Sequence, residues 1–301
     1  MFGARKQPRV ESRVLGDSSV AARVGGDLDI RGYSVVKLLD SVAVAGLLND
    51  LTILGASRSI AKTDHAGNGF EFHASPLDPD VHYRREALRI VKSYLYQPVV
   101  ALVGPHTVHS GGCFIKLPLS GLVSLHQDWT ITDGARALNV WCPLVDVDDR
   151  NGGLRVVEGS HRLFPNISAP AIPPYFHAYS DTLRKRSRLL ELTAGEAVIF
   201  DSTLLHWSKA NSSRHMRPVA AFNCVPFGAA QLFYRATANG AGFQVFDMSG
   251  DRFTEHSALD LFGGELRAPS LGFIDDPNRP VSLARFEDAR STRLGASLSL
   301  S

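Results

Sequence analysis

The chain has 301 residues and a mass of 32.7 kDa, enough for one large domain or two ordinary ones. With 44% hydrophobic and 21% charged residues it has a globular composition, which excludes wholesale disorder, a collagen-like fibre and a coiled coil. The 32 basic and 30 acidic residues leave a net charge of +2, so no general pull toward nucleic acid or a membrane surface is expected.

Three widely spaced cysteines, Cys113, Cys142 and Cys224, form no CxxC pair. Their odd number and spacing argue against a disulfide framework and point to a reducing, cytoplasmic location. No apolar run approaches the ~20 residues of a membrane span.

Residues 1–26 read as a flexible tail: they are Arg-rich, lack an apolar signal core and include Glu11 and Asp17. Residues 27–290 are expected to form a single domain, with 291–301 a second flexible tail. A short extended piece, Leu28–Val36, leads into an amphipathic helix. There Val44, Leu47, Leu48 and Leu51 share a face behind Asp40 or Ser41 as N-cap. Residues 55–80 are turn-rich. A second helix is predicted from Val81 to Gln97, with Leu88, Val91 and Leu95 on one face and Pro98 as its stop.

The texture then changes to short β-like runs separated by Gly, Pro, Asp and Asn. The predicted strands are Cys113–Lys116, Leu122–His126, Leu138–Leu144, Leu154–Val157, Leu189–Leu192, Ala197–Phe200, Leu204–His206 and Val219–Val225. Such a series predicts a mainly β fold with flanking helices, a sandwich or jelly roll. The segment 161–188, rich in Pro, Tyr and Phe, is expected to fold over a pocket mouth. Beyond residue 226 loops and one further strand, Phe243–Phe246, are predicted.

The sharpest local feature is Ser124-Leu125-His126-Gln127-Asp128-Trp129. Residues i and i+2 of a strand point to the same face, so His126 and Asp128 can present an imidazole and a carboxylate side by side. His206, at the end of a later β-like run, would complete a 2-His-1-carboxylate triad, the arrangement that holds non-haem Fe(II) with open positions. His161 and His215 are the rival third ligands. Alone, HxD is a weak pattern in a chain with 11 His and 30 acidic residues.

The surrounding blocks supply the specificity. FIKLP, SLHQDW, LNVWCPLVD, NGGLRVVEGSHR, LTAGEAVIFDSTLLHWSKANSS and RPVAAFN follow one another between residues 114 and 223. In this order they resemble the phytanoyl-CoA dioxygenase (PhyH) family of Fe(II)/2-oxoglutarate oxygenases. The early segment Gly32-Tyr33-Ser34-Val35-Val36 is similar to the start of that family's domain. The resemblance implies a double-stranded β-helix of cupin-like type, with iron held by His126, Asp128 and His206. It implies Fe(II), 2-oxoglutarate and O2 as cofactors and co-substrates, and a small organic molecule hydroxylated with release of succinate and CO2.

The resemblance also places Arg217 on the distal carboxylate of 2-oxoglutarate, where a guanidinium fork suits bidentate binding. Arg214 is the alternative, and strand parity groups Arg217 with Val219, Ala221 and Asn223. Trp141, Ser208 and Lys116 are further co-substrate candidates, with Trp207 standing where relatives often carry glycine. Trp129 is expected to border the substrate, Asn211 to brace the loop after His206, and Asn151 and Gly152 to serve a turn. His73, His109, Tyr175, Phe176 and Phe233 are weaker pocket candidates. A carboxylate at position 128 argues against halogenase chemistry, which needs that position small. Two other classes compete: a cupin-type metalloenzyme that does not use 2-oxoglutarate, and a non-catalytic scaffold that has kept the fold.

Overall fold

The computed structural model describes residues 18–56 and 72–295. Its first part is α1 (Ser18–Ile30), β1 (Tyr33–Lys37), α2 (Ser41–Gly55), β2 (His73–Ala74) and α3 (Val81–Val103). The strands β3 (His106–Lys116), β4 (Val123–His126), β5 (Leu138–Pro143) and β6 (Leu154–Val156) follow. Then come α4 (Ser180–Lys185), β7 (Arg188–Leu189), β8 (Glu196–Asp201), β9 (His206–Ser208) and β10 (Arg217–Pro226). The chain closes with β11 (Leu232–Ala236), β12 (Gly242–Asp247), α5 (Arg252–Glu255), α6 (Ala258–Phe262), β13 (Ser270–Asp275) and α7 (Leu283–Gly295). No described helix is long and apolar enough to cross a membrane.

The strands form three antiparallel sheets. The large one has the order β1-β8-β5-β10-β3-β2, the small one β4-β9-β6-β7, and the third β11-β12-β13. Alternation along the strands gives the large sheet two apolar faces. Its outer face (Val140, Cys142, Ala197, Ile199, Ala220, Phe222, Cys224) buries against Val24 and Leu28 of α1, Leu47 and Leu51 of α2, and Val91, Leu95 and Val99 of α3. Its inner face (Val198, Phe200) meets Leu154 and Val156 of the small sheet. The result is a mainly β, double-stranded β-helix with flanking helices, as the sequence predicts, without barrel closure.

Local signals account for the helix starts. The Asp40 carboxylate accepts from the Ala43 amide at 2.8 Å, and Asp80 caps α3 in the same way at His82. Gly195 turns into β8 at φ +84°, and a Cβ there would stand 2.4 Å from the Leu39 carbonyl oxygen.

Several elements differ from the sequence expectation. Residues 18–26 belong to α1, because Val24 and Leu28 bury against the large sheet, while 1–17 lie outside the described residues. Pro98 does not stop α3: the helix runs on to Val103 because Leu95, Val99 and Leu102 seat that stretch in the core. The strand carrying His206 begins at that residue instead of Leu204, since Asp201 Oδ1 accepts from Thr203 and makes a turn first. Beyond residue 226 a whole sheet, β11-β12-β13, stands where one strand is predicted. The helix α7 reaches Gly295, into the expected C-terminal tail.

A metal-ligand cluster and a cation pair in one cavity

The small sheet delivers the first group of functional side chains. His126 ends β4 and His206 opens β9, and the two residues are register partners. Their rings lie 4.2 Å apart, centroid to centroid. Asp128 lies just beyond β4, held where its amide donates to the Ser202 carbonyl at 2.9 Å. Its Oδ1 is 3.9 Å from His126 Nε2 and 3.8 Å from His206 Nε2. One ligand atom from each of the three lies within 4.8 Å of the others, the only such group of three or more among the described residues.

Second contacts aim these atoms. His126 Nδ1 lies 2.8 Å from the Ser124 carbonyl, and His206 Nδ1 lies 2.9 Å from the Leu204 carbonyl. A carbonyl can only accept, so Nδ1 carries the proton in both rings and Nε2 presents its lone pair to the cluster. Burial, and then the neighbouring His126, push His206 down to about 4 against the pull of Asp128. It is therefore neutral at pH 7, the form that binds a metal. Asn139, on β5 of the opposite sheet, donates its side-chain amide to Asp128 Oδ2 at 2.9 Å. The sequence reading missed Asn139, although LNVW places it on the same strand face as Trp141.

The second group sits on the large sheet. Arg217 and Lys116 are register partners on β10 and β3, and both are nearly fully buried. Lys116 Nζ donates to Ser208 Oγ at 2.7 Å and to the Lys209 carbonyl. Burial, and then the Arg217 charge, push the Lys116 ammonium down to about 6. Burial alone pushes Arg217 down to about 9. Its guanidinium stacks over the Trp141 ring, 5.3 Å from the centroid, and its Nε has no hydrogen-bond partner. Among the described residues no carboxylate lies against this buried guanidinium and its lysine neighbour, so the pair forms a site for an anion, whose arrival favours the protonated lysine.

Both groups line one cavity of about 290 Å³ between the sheets. Its wall includes His126, Asp128, His206, Lys116, Arg217, Ser208, Trp141 and Trp129, while the rivals His161, Arg214 and His215 do not line it. Gly152 leaves room for the cation: it adopts φ +79°, and a Cβ would stand 2.6 Å from the Lys209 carbonyl oxygen and 3.0 Å from Lys116 Nζ. Asn211 braces the loop after β9 by donating to the His215 carbonyl at 2.7 Å.

Other expectations fail. His73, His109, Tyr175, Phe176 and Phe233 do not line the cavity. The segment 161–188 covers no mouth: Phe176 and Leu183 pack with Leu125, Leu205 and Trp207 behind the small sheet. His161, only a rival to His206 in the sequence and there in a turn of structural character, is fully buried with Nε2 2.7 Å from Arg293. Trp207 alternates to the outer side of β9, where its Nε1 donates to Ser187 and its ring lies between Arg155 and Arg184. The cavity wall also draws on a region with no matching sequence block. Phe253 of α5 lines it, and Trp129 packs edge-on against Phe233 and Phe262 of the C-terminal part.

The sequence model of the phytanoyl-CoA dioxygenase (PhyH) family matches residues 55–219. The chain belongs to this family. Its members are Fe(II)/2-oxoglutarate-dependent oxygenases, and Fe(II), 2-oxoglutarate and O2 are the cofactors and co-substrates that come with membership. The residues present fit that set, with two Nε2 atoms and a carboxylate oxygen converging on one point and an unpaired cation pair in the same cavity.

Solved structures agree in fold. The epimerase SnoN from nogalamycin biosynthesis, in complex with Fe3+, alpha ketoglutarate and nogalamycin RO, superposes with a TM-score of 0.55 at 22% identity, covering 71% of this chain and 87% of that one. The carbocyclase SnoK from the same biosynthesis gives 0.56 at 16% identity, covering 71% and 86%. EctD from S. alaskensis, in its apoform, gives 0.51 at 21% identity, covering 71% and 81%.

Proposed function

We propose that this PhyH-family chain is a 2-oxoglutarate-dependent hydroxylase of a small organic molecule, inserting oxygen at an unactivated C–H. The observation that carries this reading is the shared cavity, with the His126–Asp128–His206 cluster on one sheet and the Arg217–Lys116 pair on the facing one. When bound, Fe(II) and 2-oxoglutarate supply an oxidant from O2, with succinate and CO2 as by-products.

The chain's own residues have four tasks in this scheme. His126, Asp128 and His206 would hold the metal, since their three ligand atoms cluster at the wall of the cavity. Arg217 grips the distal carboxylate of 2-oxoglutarate, with Trp141 against one face of the guanidinium. Lys116, steadied by Ser208, adds a second positive charge when it takes up a proton with the co-substrate. The apolar wall, Trp129 and Phe253 included, keeps water from the reacting centre. Asp128 keeps its place as a ligand, so the scheme has no halide site. We take residues 27–290 as one working unit, because the C-terminal part lends Phe253 to the same cavity. The three buried thiols suit the reducing cytoplasm we assign to it.

Anaerobic titration of the Fe(II)-loaded protein with 2-oxoglutarate tests the proposal. The expected result is a weak visible charge-transfer band that requires both partners and is lost in Asp128→Ala and Arg217→Ala. A folded, iron-replete protein without the band overturns it and returns the cupin-type and scaffold readings.

A further inference from the structure

The inner face of the large sheet is graded along its strands. At one end Lys116 pairs with Arg217, and in the middle Gly112, Ala221 and Trp141 lie side by side. At the other end the register aligns Ser110 of β3, Asn223 of β10 and Asn139 of β5 in one row. All three line the cavity. Asn139 is engaged by Asp128, so the end of the row nearest the metal cluster is occupied. Among the described residues no side-chain hydrogen bond is made by Ser110 or Asn223, and both face the cavity. Ser110 is buried and Asn223 half-buried, so a hydroxyl and a carboxamide stand side by side at the cavity with hydrogen-bonding atoms free for a ligand.

Charge distribution limits that ligand. Among the described residues, the charged side chains lining the cavity are Lys116, Asp128 and Arg217, all taken by the metal and co-substrate. Much of the remaining wall is apolar, with Leu77, Phe114, Trp129, Ile131 and Phe253, and Gln127 adds a further neutral polar side chain. An ionised group placed there loses its hydration without gaining a counter-charge.

We infer that the part of the primary substrate seated in the cavity is an uncharged, largely apolar ring or chain, oriented by one neutral hydroxyl, carbonyl or amide group held between Ser110 and Asn223. This rests on the proposed 2-oxoglutarate reading of the site. It assigns Ser110 and Asn223 to substrate orientation, at the opposite end of the sheet from the co-substrate.

The test uses the anaerobic Fe(II)–2-oxoglutarate complex, with ligand binding read as a shift of its visible band. The probes are cyclohexanol, cyclohexanone and benzamide against cyclohexanecarboxylate and cyclohexylammonium. The neutral probes are expected to bind at least about tenfold more tightly than the charged ones. Ser110→Ala and Asn223→Leu are each expected to weaken the neutral probes by about fivefold, without change in 2-oxoglutarate affinity. Asn223→Asp is expected to turn the preference toward cyclohexylammonium. Equal or tighter binding of the charged probes, no binding of any neutral probe, or variants that leave the neutral probes unchanged each overturns the inference. Failure of the band itself overturns the underlying reading instead, so the two failures are distinct.

Discussion

Asn139 donates to Asp128 Oδ2 at 2.9 Å, and the other carboxylate oxygen, Oδ1, is the one that faces both histidine Nε2 atoms. A carboxylate on a loop just past a strand end has a free χ2 rotation. The amide from the opposite sheet removes it, so the ligand is aimed before any metal arrives.

Asn139→Leu keeps the size of the side chain but not its donor. Iron affinity is expected to fall roughly 10- to 100-fold with the fold unchanged, because the carboxylate must then be ordered on binding. Competition against a metal-sensitive dye measures this, with circular dichroism reporting the fold. Unchanged affinity would show that the Ser202 contact alone holds Asp128.

Lys116 gives the second prediction, from its position down at about 6 through burial and the charge of Arg217. Below that pH the folded protein carries the ammonium; at pH 7 to 8 it is mostly an amine. A dianionic co-substrate favours the charged form, so binding above pH 6 must draw in a proton. The 2-oxoglutarate affinity is therefore expected to fall between pH 6 and 8, by at most about tenfold per unit. Calorimetry in buffers of different ionisation heat should register net proton uptake, and Lys116→Met should abolish it. Stability follows the same sign. Between about 6 and the ordinary 10.5 the unfolded chain binds a proton that the folded one does not, so this group makes unliganded protein more stable as pH rises.

The parts of the fold that were legible in the sequence are those built on local pattern. Asp40 before an i, i+3, i+4 apolar series announced α2, and the β-like runs announced the two facing sheets. The metal cluster and the cation pair were legible only through ordered blocks such as SLHQDW and RPVAAFN, because their convergence depends on strand pairing far apart in the chain. Pro98 marks a helix end in the sequence but not in the fold, because tertiary burial of Leu95 and Val99 outweighs the hydrogen bond that proline removes. Asn139 and Phe253 were missed for a related reason. One is an ordinary asparagine in a strand and the other lies in a short helix, and only the assembled cavity gives either a task.

Gly152 supplies a prediction about the turn. Its φ of +79° is strained for any side chain, and an added methyl meets the Lys209 carbonyl and Lys116 Nζ. Gly152→Ala is expected to cost about 1–3 kcal/mol of stability by denaturant melting. It should also weaken 2-oxoglutarate, since Lys116 must shift away from Ser208. Loss of stability with intact co-substrate affinity would separate the turn from the cation site.

Arg217 carries the last prediction, in which stability and function move in opposite directions. Arg217 is 5% exposed, holds its charge at neutral pH with burial bringing it only to about 9, and meets no carboxylate among the described residues. Such a group destabilises the empty protein, and the Trp141 face offsets only part of that cost. Arg217→Met is therefore expected to raise the stability of the unliganded protein by about 1 kcal/mol or more, read as a higher Tm. In wild type, 2-oxoglutarate with metal should raise Tm in turn, by about 2.7 kcal/mol of stabilisation at a hundred times its Kd, and the variant should lose that increment. A variant that melts lower while keeping the ligand-induced shift would make Arg217 a structural residue and leave Lys116 as the anchor.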